Sequence, residues 1–192
     1  MGTFTSAAAL LLAACGGDSA ANARAEAVGP APADAGPSPN WTRVNLIDPS
    51  RWTPLSADED PFEDRPEDVH CPESALMTEP LGGELSYGID TGMCNYVTAK
   101  QTSLVPVTAG ETIQVRLWHF ALSASEPAKA HVVLTVNGLG VLEKHVPIPS
   151  ASGLITAEAS VREFVPAGSP VLFHLHNHGE NSWSLVEVSA GI

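Results

Sequence analysis

Three histidines at alternate positions, His174, His176 and His178 in the stretch PVLFHLHNHGEN, carry the densest side-chain chemistry of the chain. On a β-strand successive side chains face opposite ways, so the three imidazoles share one face and Val171, Phe173 and Leu175 take the other. Two imidazoles at i and i+2 form a clip for a transition metal when a neighbouring strand adds a third ligand. The same alternation sorts two further segments. In residues 130–137 the apolar set is Val132, Leu134 and Val136, leaving His131, Val133, Thr135 and Asn137 opposite; in 111–122 it is Ile113, Val115 and Leu117, leaving Gln114, Arg116, Trp118 and Phe120. If the three segments lie in one sheet, a single face carries Arg116, Trp118, His131, Asn137, His174, His176 and His178. Such a face suits a sugar, with an aromatic platform for its C–H face and planar polar groups for its hydroxyls. It also suits a metal. No GxSxG elbow, HExxH or P-loop occurs in the sequence, so no catalytic residue is assigned and the expected role is binding.

The elements that must position these residues are strands. From Gly82 onward GELSYGI, CNYVTAKQTSLVPV, ETIQVRLWHFAL, AHVVLTVNG, GVLEKHVPI, GLITAEA, SVREFV, PVLFHLHNH and SWSLVEVS follow one another as short runs punctuated by Gly, Pro, Asn, Asp or Ser. None shows helical periodicity. Many short strands with tryptophans in the later ones predict an all-β fold, a two-sheet antiparallel sandwich of jelly-roll type. WTRVNLI, residues 41–47, reads as the first strand-like run, so one domain is expected over residues 41–192 of the 192-residue chain.

The formal net charge of −13 argues against nucleic acid as a partner, because both would be negative. The acidity is concentrated: from Asp58 to Asp90 eleven acids face the single base Arg65. The part near residues 57–73, ADEDPFEDRPEDVHCPE, is too rich in acids and prolines for a regular element and reads as a solvated surface loop. A calcium site there is the alternative, since Ca²⁺ collects carboxylate oxygens, although the EF-hand spacing is not met.

The first residues point to export. MGTFTSAAALLLAAC contains an apolar run too short for a finished membrane span and ends at a cysteine; residues 16–40, rich in Gly, Ala, Pro and Ser, cannot bury enough surface to offset the entropy of ordering. Leu12, Ala13, Ala14 and Cys15 followed by Gly16 resemble the lipobox of bacterial lipoproteins, although no Lys or Arg precedes the apolar run as such signals normally have. The resemblance implies a signal peptide over 1–14, a lipidated Cys15, a tether over 15–40 and a membrane partner reached through lipid, hence a place in the cell envelope. With Cys15 set aside, Cys71 and Cys94 form an even pair in a chain expected to enter an oxidising compartment, so they are expected to be bonded. Closing that loop is worth about 3 kcal/mol in the chain-entropy model.

Two further resemblances concern the body. TAGETIQVRLWHF, AHVVLTVNG, VREFVPAGSPVLFHLHNH and NSWSLVEV look like a galactose-binding-like or carbohydrate-binding-module sandwich over residues 82–192, which implies a glycan or envelope component as ligand. Gly168, His174, His176 and Glu180 reproduce the first half of the first cupin motif, which implies His174, His176 and Glu180 as metal ligands with His131 or His119 in place of a missing histidine. The motif's closing glycine is replaced by Glu187. The leading expectation is a lipid-anchored glycan-binding sandwich, the alternatives being a metal-binding jelly roll and an adhesion module that binds another protein.

Overall fold

The computed structural model describes residues 42–191; Cys15, the expected signal segment and the expected tether fall outside the described residues. Among the described residues eleven strands form two antiparallel sheets, with one turn of 3₁₀ helix at Glu73–Ala75. The strands are β1 (Val44–Asn45), β2 (Thr53–Pro54), β3 (Leu76–Leu81), β4 (Glu84–Asp90), β5 (Tyr96–Thr102), β6 (Thr112–His119), β7 (Ala128–Val136), β8 (Leu139–Ile148), β9 (Gly153–Ser160), β10 (Pro170–Asn177) and β11 (Ser182–Gly191). One sheet runs β3-β4-β11-β6-β9 with β1 added on β11; the other runs β2-β5-β10-β7-β8. The fold is the predicted jelly-roll-type β-sandwich.

Alternation of residue types builds the core. Ile113, Val115 and Leu117 from one sheet, and Val132, Leu134, Val136, Val171, Phe173 and Leu175 from the other, are buried between the layers as their spacing predicts. Trp183 is wholly buried, and its indole N–H donates to the Asn177 side-chain oxygen at 3.3 Å. Strand β11 shifts register between Leu185 and Glu187, a bulge that lets Leu185 and Val188 both face inward although they are three residues apart.

Two local features decide where site residues end up. Asn137 and Gly138 have φ of 49° and 79° and make the tight turn between β7 and β8, the Asn-Gly pattern that a two-residue hairpin requires. Asn137 is therefore a turn former at the far end of its strand, not a member of a binding face. Residues 120–127 carry the chain from β6 in one sheet to β7 in the other, so the segments around Trp118 and His131 are consecutive in sequence but lie in different layers.

Cys71 and Cys94 are disulfide-bonded, as their pairing in the sequence predicts. The acidic segment between Leu55 and Cys71 departs from expectation. It is irregular, but it crosses the outer face of the β2-β5-β10-β7-β8 sheet as a strap, with the Leu55 N–H bonded to the Thr98 carbonyl at 2.7 Å. The reason is chemical: Phe62, Asp60 and Asp64 find partners on that face.

Candidate metal centre

Strand pairing places the imidazoles side by side. His176 on β10 lies opposite His131 on β7, and beyond them Tyr96 on β5 and His145 on β8 complete one rank across four strands. The next rank places Thr98 opposite His174. All face outward, because their neighbours in the chain fill the core. His131 and His145 stack with ring centroids 4.4 Å apart, and His131 and His174 meet edge to face at 5.2 Å.

The strap supplies the missing carboxylate. Asp64 Oδ2 lies 2.8 Å from His131 Nδ1, 3.2 Å from His176 Nδ1 and 3.4 Å from His174 Nε2, and Asp64 Oδ1 lies 3.3 Å from His174 Nε2. Phe62 covers the group by stacking on His174 at 4.2 Å, leaving His174 with no solvent exposure, while Asp64 keeps 34% of its side chain accessible. Among the described residues the ligand atoms of Asp64, His131 and His174 all lie within 4.8 Å of one another.

A hydrogen-bond chain fixes the proton on His174. Asp60 accepts from Tyr96 OH at 2.7 Å, Arg65 at 2.8 Å, Thr98 Oγ1 at 3.0 Å and the Phe62 N–H at 3.2 Å. Burial opposes the Asp60 charge, but these donors outweigh it and hold the carboxyl below its ordinary range. An ionised carboxylate only accepts, so the single Thr98 hydroxyl proton points to Asp60, and the Thr98 oxygen, 3.0 Å from His174 Nδ1, must accept from that ring. His174 therefore carries its proton on Nδ1 and turns a bare Nε2 lone pair toward the Asp64 carboxylate. Asp64 Oδ1 is buried with no hydrogen-bond partner among the described residues. A second proton on His174 is disfavoured, since burial pushes the imidazolium down to about 4 against the attraction of Asp64. Burial likewise resists the Asp64 charge, yet the hydrogen bond from His131 and the nearby His174 and His176 bring its carboxyl down to about 2. Asp64, His131 and His174 are the residues that could hold a metal ion: tetrahedral ligands at about 2.0–2.1 Å stand about 3.3 Å apart, close to the separations between Asp64 and the imidazoles.

The structure divides the residues expected to form one face. His131, His174 and His176 come together; Arg116 and Trp118 lie on the outer face of the opposite sheet, because β6 pairs with β11 and β9 and not with β7 or β10. There Arg116 binds Glu84 at 3.1 Å and Glu187 at 3.0 Å. Trp118 stands opposite Leu154 in register and meets Phe120 edge-on at 6.2 Å. His178 lies past the end of β10, exposed, its ring 4.4 Å from that of His176. His119 packs on Trp183 at 4.8 Å, on the sheet that does not carry the cluster.

Glu180 is exposed, with its backbone paired to Ser123, and the acid beside the histidines is Asp64. The cupin arrangement of His174, His176 and Glu180 is corrected accordingly. The calcium reading of the acidic loop also changes, since Asp60 is taken by hydroxyls and Arg65 and Asp64 by imidazoles, a nitrogen-rich set that Ca²⁺ does not favour.

Sequence reasoning missed Asp64, which stands 67, 110 and 112 residues from its three partners. The usable signal was Phe62, the one aromatic residue in the acidic run, which marks where the strap turns inward.

Fold and cluster together define a two-sheet β-sandwich carrying a histidine-carboxylate centre on one outer face. No family model and no curated protein matches the chain. Among solved structures, it is similar to the family 22 carbohydrate-binding and catalytic modules of a Clostridium thermocellum xylanase complexed with xylohexaose, at 8% identity and a TM-score of 0.44, over 77% of this chain and 27% of that one. It is also similar to the N-terminal cellulose-binding domain of a Cellulomonas fimi glucanase (16% identity, TM-score 0.39, 64% of this chain and 85% of that one). A third similarity is to a family 51 carbohydrate-binding module from Clostridium perfringens in complex with methyl-galactose (8% identity, TM-score 0.38, 78% and 99%).

Proposed function

We propose that this protein is an exported envelope protein whose sandwich holds a divalent transition metal through His131, His174, His176 and Asp64. The observation that carries the reading is the convergence of His131 Nδ1, His176 Nδ1 and His174 Nε2 on the Asp64 carboxylate, with the Thr98–Asp60 hydrogen bond assigning the His174 proton to Nδ1. Three imidazoles with one carboxylate and no thiolate suit Zn²⁺ and its late first-row neighbours. Asp64, His131 and His174 bring ligand atoms within 4.8 Å of one another, and His176 Nδ1 stands 3.2 Å from the same carboxylate, so the centre is read as one that holds metal. Metal analysis of protein purified without a histidine tag tests this: about one equivalent of metal per chain is expected, and none after equilibration with Zn²⁺, Cu²⁺, Mn²⁺ or Fe²⁺ would overturn it.

The envelope location rests on Leu12-Ala13-Ala14-Cys15 and the small-residue stretch after it, with the Cys71–Cys94 bond in keeping with an oxidising compartment. Lipidation of Cys15 would be its membrane anchor, and Cys15→Ser is expected to move the protein to the soluble fraction.

A second reading keeps a glycan or envelope ligand, now on the opposite sheet without the histidines. It is favoured by the exposed apolar group of Phe120 (38% accessible) and Leu154 (50%) around Trp118, with Arg116 beside it. A glycan array against the full chain tests it.

A further inference from the structure

Three of the four ligands sit on strands locked in a sheet, whereas Asp64 sits on the strap and depends on how the strap's ends are held. Upstream, Asp60 is gripped by Tyr96, Thr98 and Arg65. Downstream, Cys71 is bonded to Cys94, and the residues on either side of that bond are laced together. The Asn95 N–H donates to the His70 carbonyl at 2.9 Å, the His70 N–H to Asn95 Oδ1 at 2.8 Å, and Asn95 Nδ2 to the Asp68 carbonyl at 3.0 Å. Cys94 and Asn95 lead directly into Tyr96, the first residue of β5, which faces His176 across the sheet. The disulfide thus ties the carboxylate-bearing segment to the register of the strands that carry the imidazoles.

We propose that the Cys71–Cys94 disulfide is the positioning device for Asp64, so that the chain captures metal at full affinity only after that bond has formed; the inference rests on the metal centre proposed above. Seven acids lie between Asp58 and Asp68 against the single base Arg65, and their mutual repulsion favours an open strap once the covalent tie is gone. Three imidazoles would remain in place. The carboxylate would become a tethered group of lower effective concentration. Metal loading is thereby coupled to arrival in an oxidising compartment.

Cobalt titration of the full-length exported protein tests this, read by the intensity and position of the Co²⁺ visible bands. Cys71→Ser with Cys94→Ser removes the bond without leaving thiols that would themselves bind metal. The serine pair is expected to weaken Co²⁺ binding by about 10- to 100-fold and to give the spectrum of Asp64→Ala. Added to Asp64→Ala it should cost nothing further, because the disulfide acts through that carboxylate. Parent-like affinity in the serine pair, or an equal loss in both backgrounds, would overturn the proposal. Should the serine pair lose its far-ultraviolet strand signal, insertion of two glycines after Pro66 keeps the bond and lengthens the tether. The same loss is expected there, and parent-like binding would again overturn the proposal. A parent chain that binds no Co²⁺ refutes the metal centre itself, a result distinct from a parent that binds and a serine pair that binds equally well.

Discussion

The two outer faces of the sandwich are built from strands of similar pattern and put to opposite use. On the β2-β5-β10-β7-β8 sheet the outward side chains are imidazoles and hydroxyls, and a strap from elsewhere in the chain covers them, so that His174 has no exposure. On the β3-β4-β11-β6-β9 sheet the outward side chains of β6 are Gln114, Arg116 and Trp118, and they remain half-open to solvent. Covering converts exposed polar groups into a site, since their lone pairs and charges lose water and must find each other. The uncovered face keeps its groups hydrated and can offer them only to something that arrives from outside.

The largest effect should separate the faces outright. His174→Ala removes the buried imidazole of the proposed metal centre, and metal content is expected to fall from about one equivalent to none, measured by elemental analysis after dialysis. Trp118→Ala, on the other sheet, should leave metal content unchanged. A substantial fall in both would mean that the faces are not independent.

The metal-free protein gives a second test. His174 titrates at about 4 in the folded chain and near its ordinary 6.5 when unfolded. The unfolded chain then binds more protons between those values, and stability declines as pH falls through that window. The loss is on the order of 3 kcal/mol, complete near pH 4 and absent above pH 7. Chemical denaturation of metal-free protein at pH 7.5, 5.5 and 4.5 measures it. His174→Gln should flatten the profile, and an unchanged slope would show that burial of this imidazole is not its cause. Metal binding to the folded chain competes with the His174 proton only near and below pH 4, so that ligand's contribution to affinity should be lost as pH falls through about 4.

How much of this was legible in the sequence differs between the faces for a physical reason. Alternation at Val171, Phe173 and Leu175, and at Val132, Leu134 and Val136, announced which side of each strand is core, and the sandwich follows from that. The outward position of His131, His174 and His176 was readable in the same way. Which strands are neighbours was not, because alternation says nothing about the pairing partner; Arg116 and Trp118 join the histidines only if β6 shares their sheet, and it lies in the other one. The strap was least legible. Nothing in the local pattern distinguishes Asp64 from the other acids of the segment, and its role arises from contacts more than 60 residues away, made where Phe62 finds His174. Asn137 shows the converse: its Asn-Gly turn chemistry was present in the sequence, and face-sorting overlooked it.

A smaller effect concerns the groups behind the ligands. Asp60 makes no hydrogen bond to the imidazoles of the proposed metal centre, yet it directs the Thr98 hydroxyl and so the tautomer of His174. Asp60→Asn keeps the shape but lets the amide donate, freeing Thr98 to turn its proton toward His174 Nδ1 and disfavour the tautomer that binds metal. A decrease in Zn²⁺ affinity of about tenfold is expected by competition titration, in keeping with the usual cost of such outer partners. Thr98→Val should show a similar loss, and since both act through one ring, the double variant should be little worse than either alone.

The smallest effect belongs to the open face and bears most directly on what that face is for. Trp118 is only partly buried, with its indole nitrogen lacking a hydrogen-bond partner among the described residues, and Leu154 and Phe120 flank it. Trp118→Ala removes a half-covered side chain from an outer surface, so the stability cost should be about 1 kcal/mol, well under the 3–5 expected for a large aromatic residue in the core. Trp183→Ala, wholly buried between the sheets, supplies that larger reference under the same denaturant conditions. If Trp118 serves as a platform, its removal should cost any glycan found on the array about tenfold or more in affinity at almost no cost to the fold. Unchanged glycan binding would show that the ligand does not rest there, leaving Trp118 as a packing residue for Leu154 and Phe120.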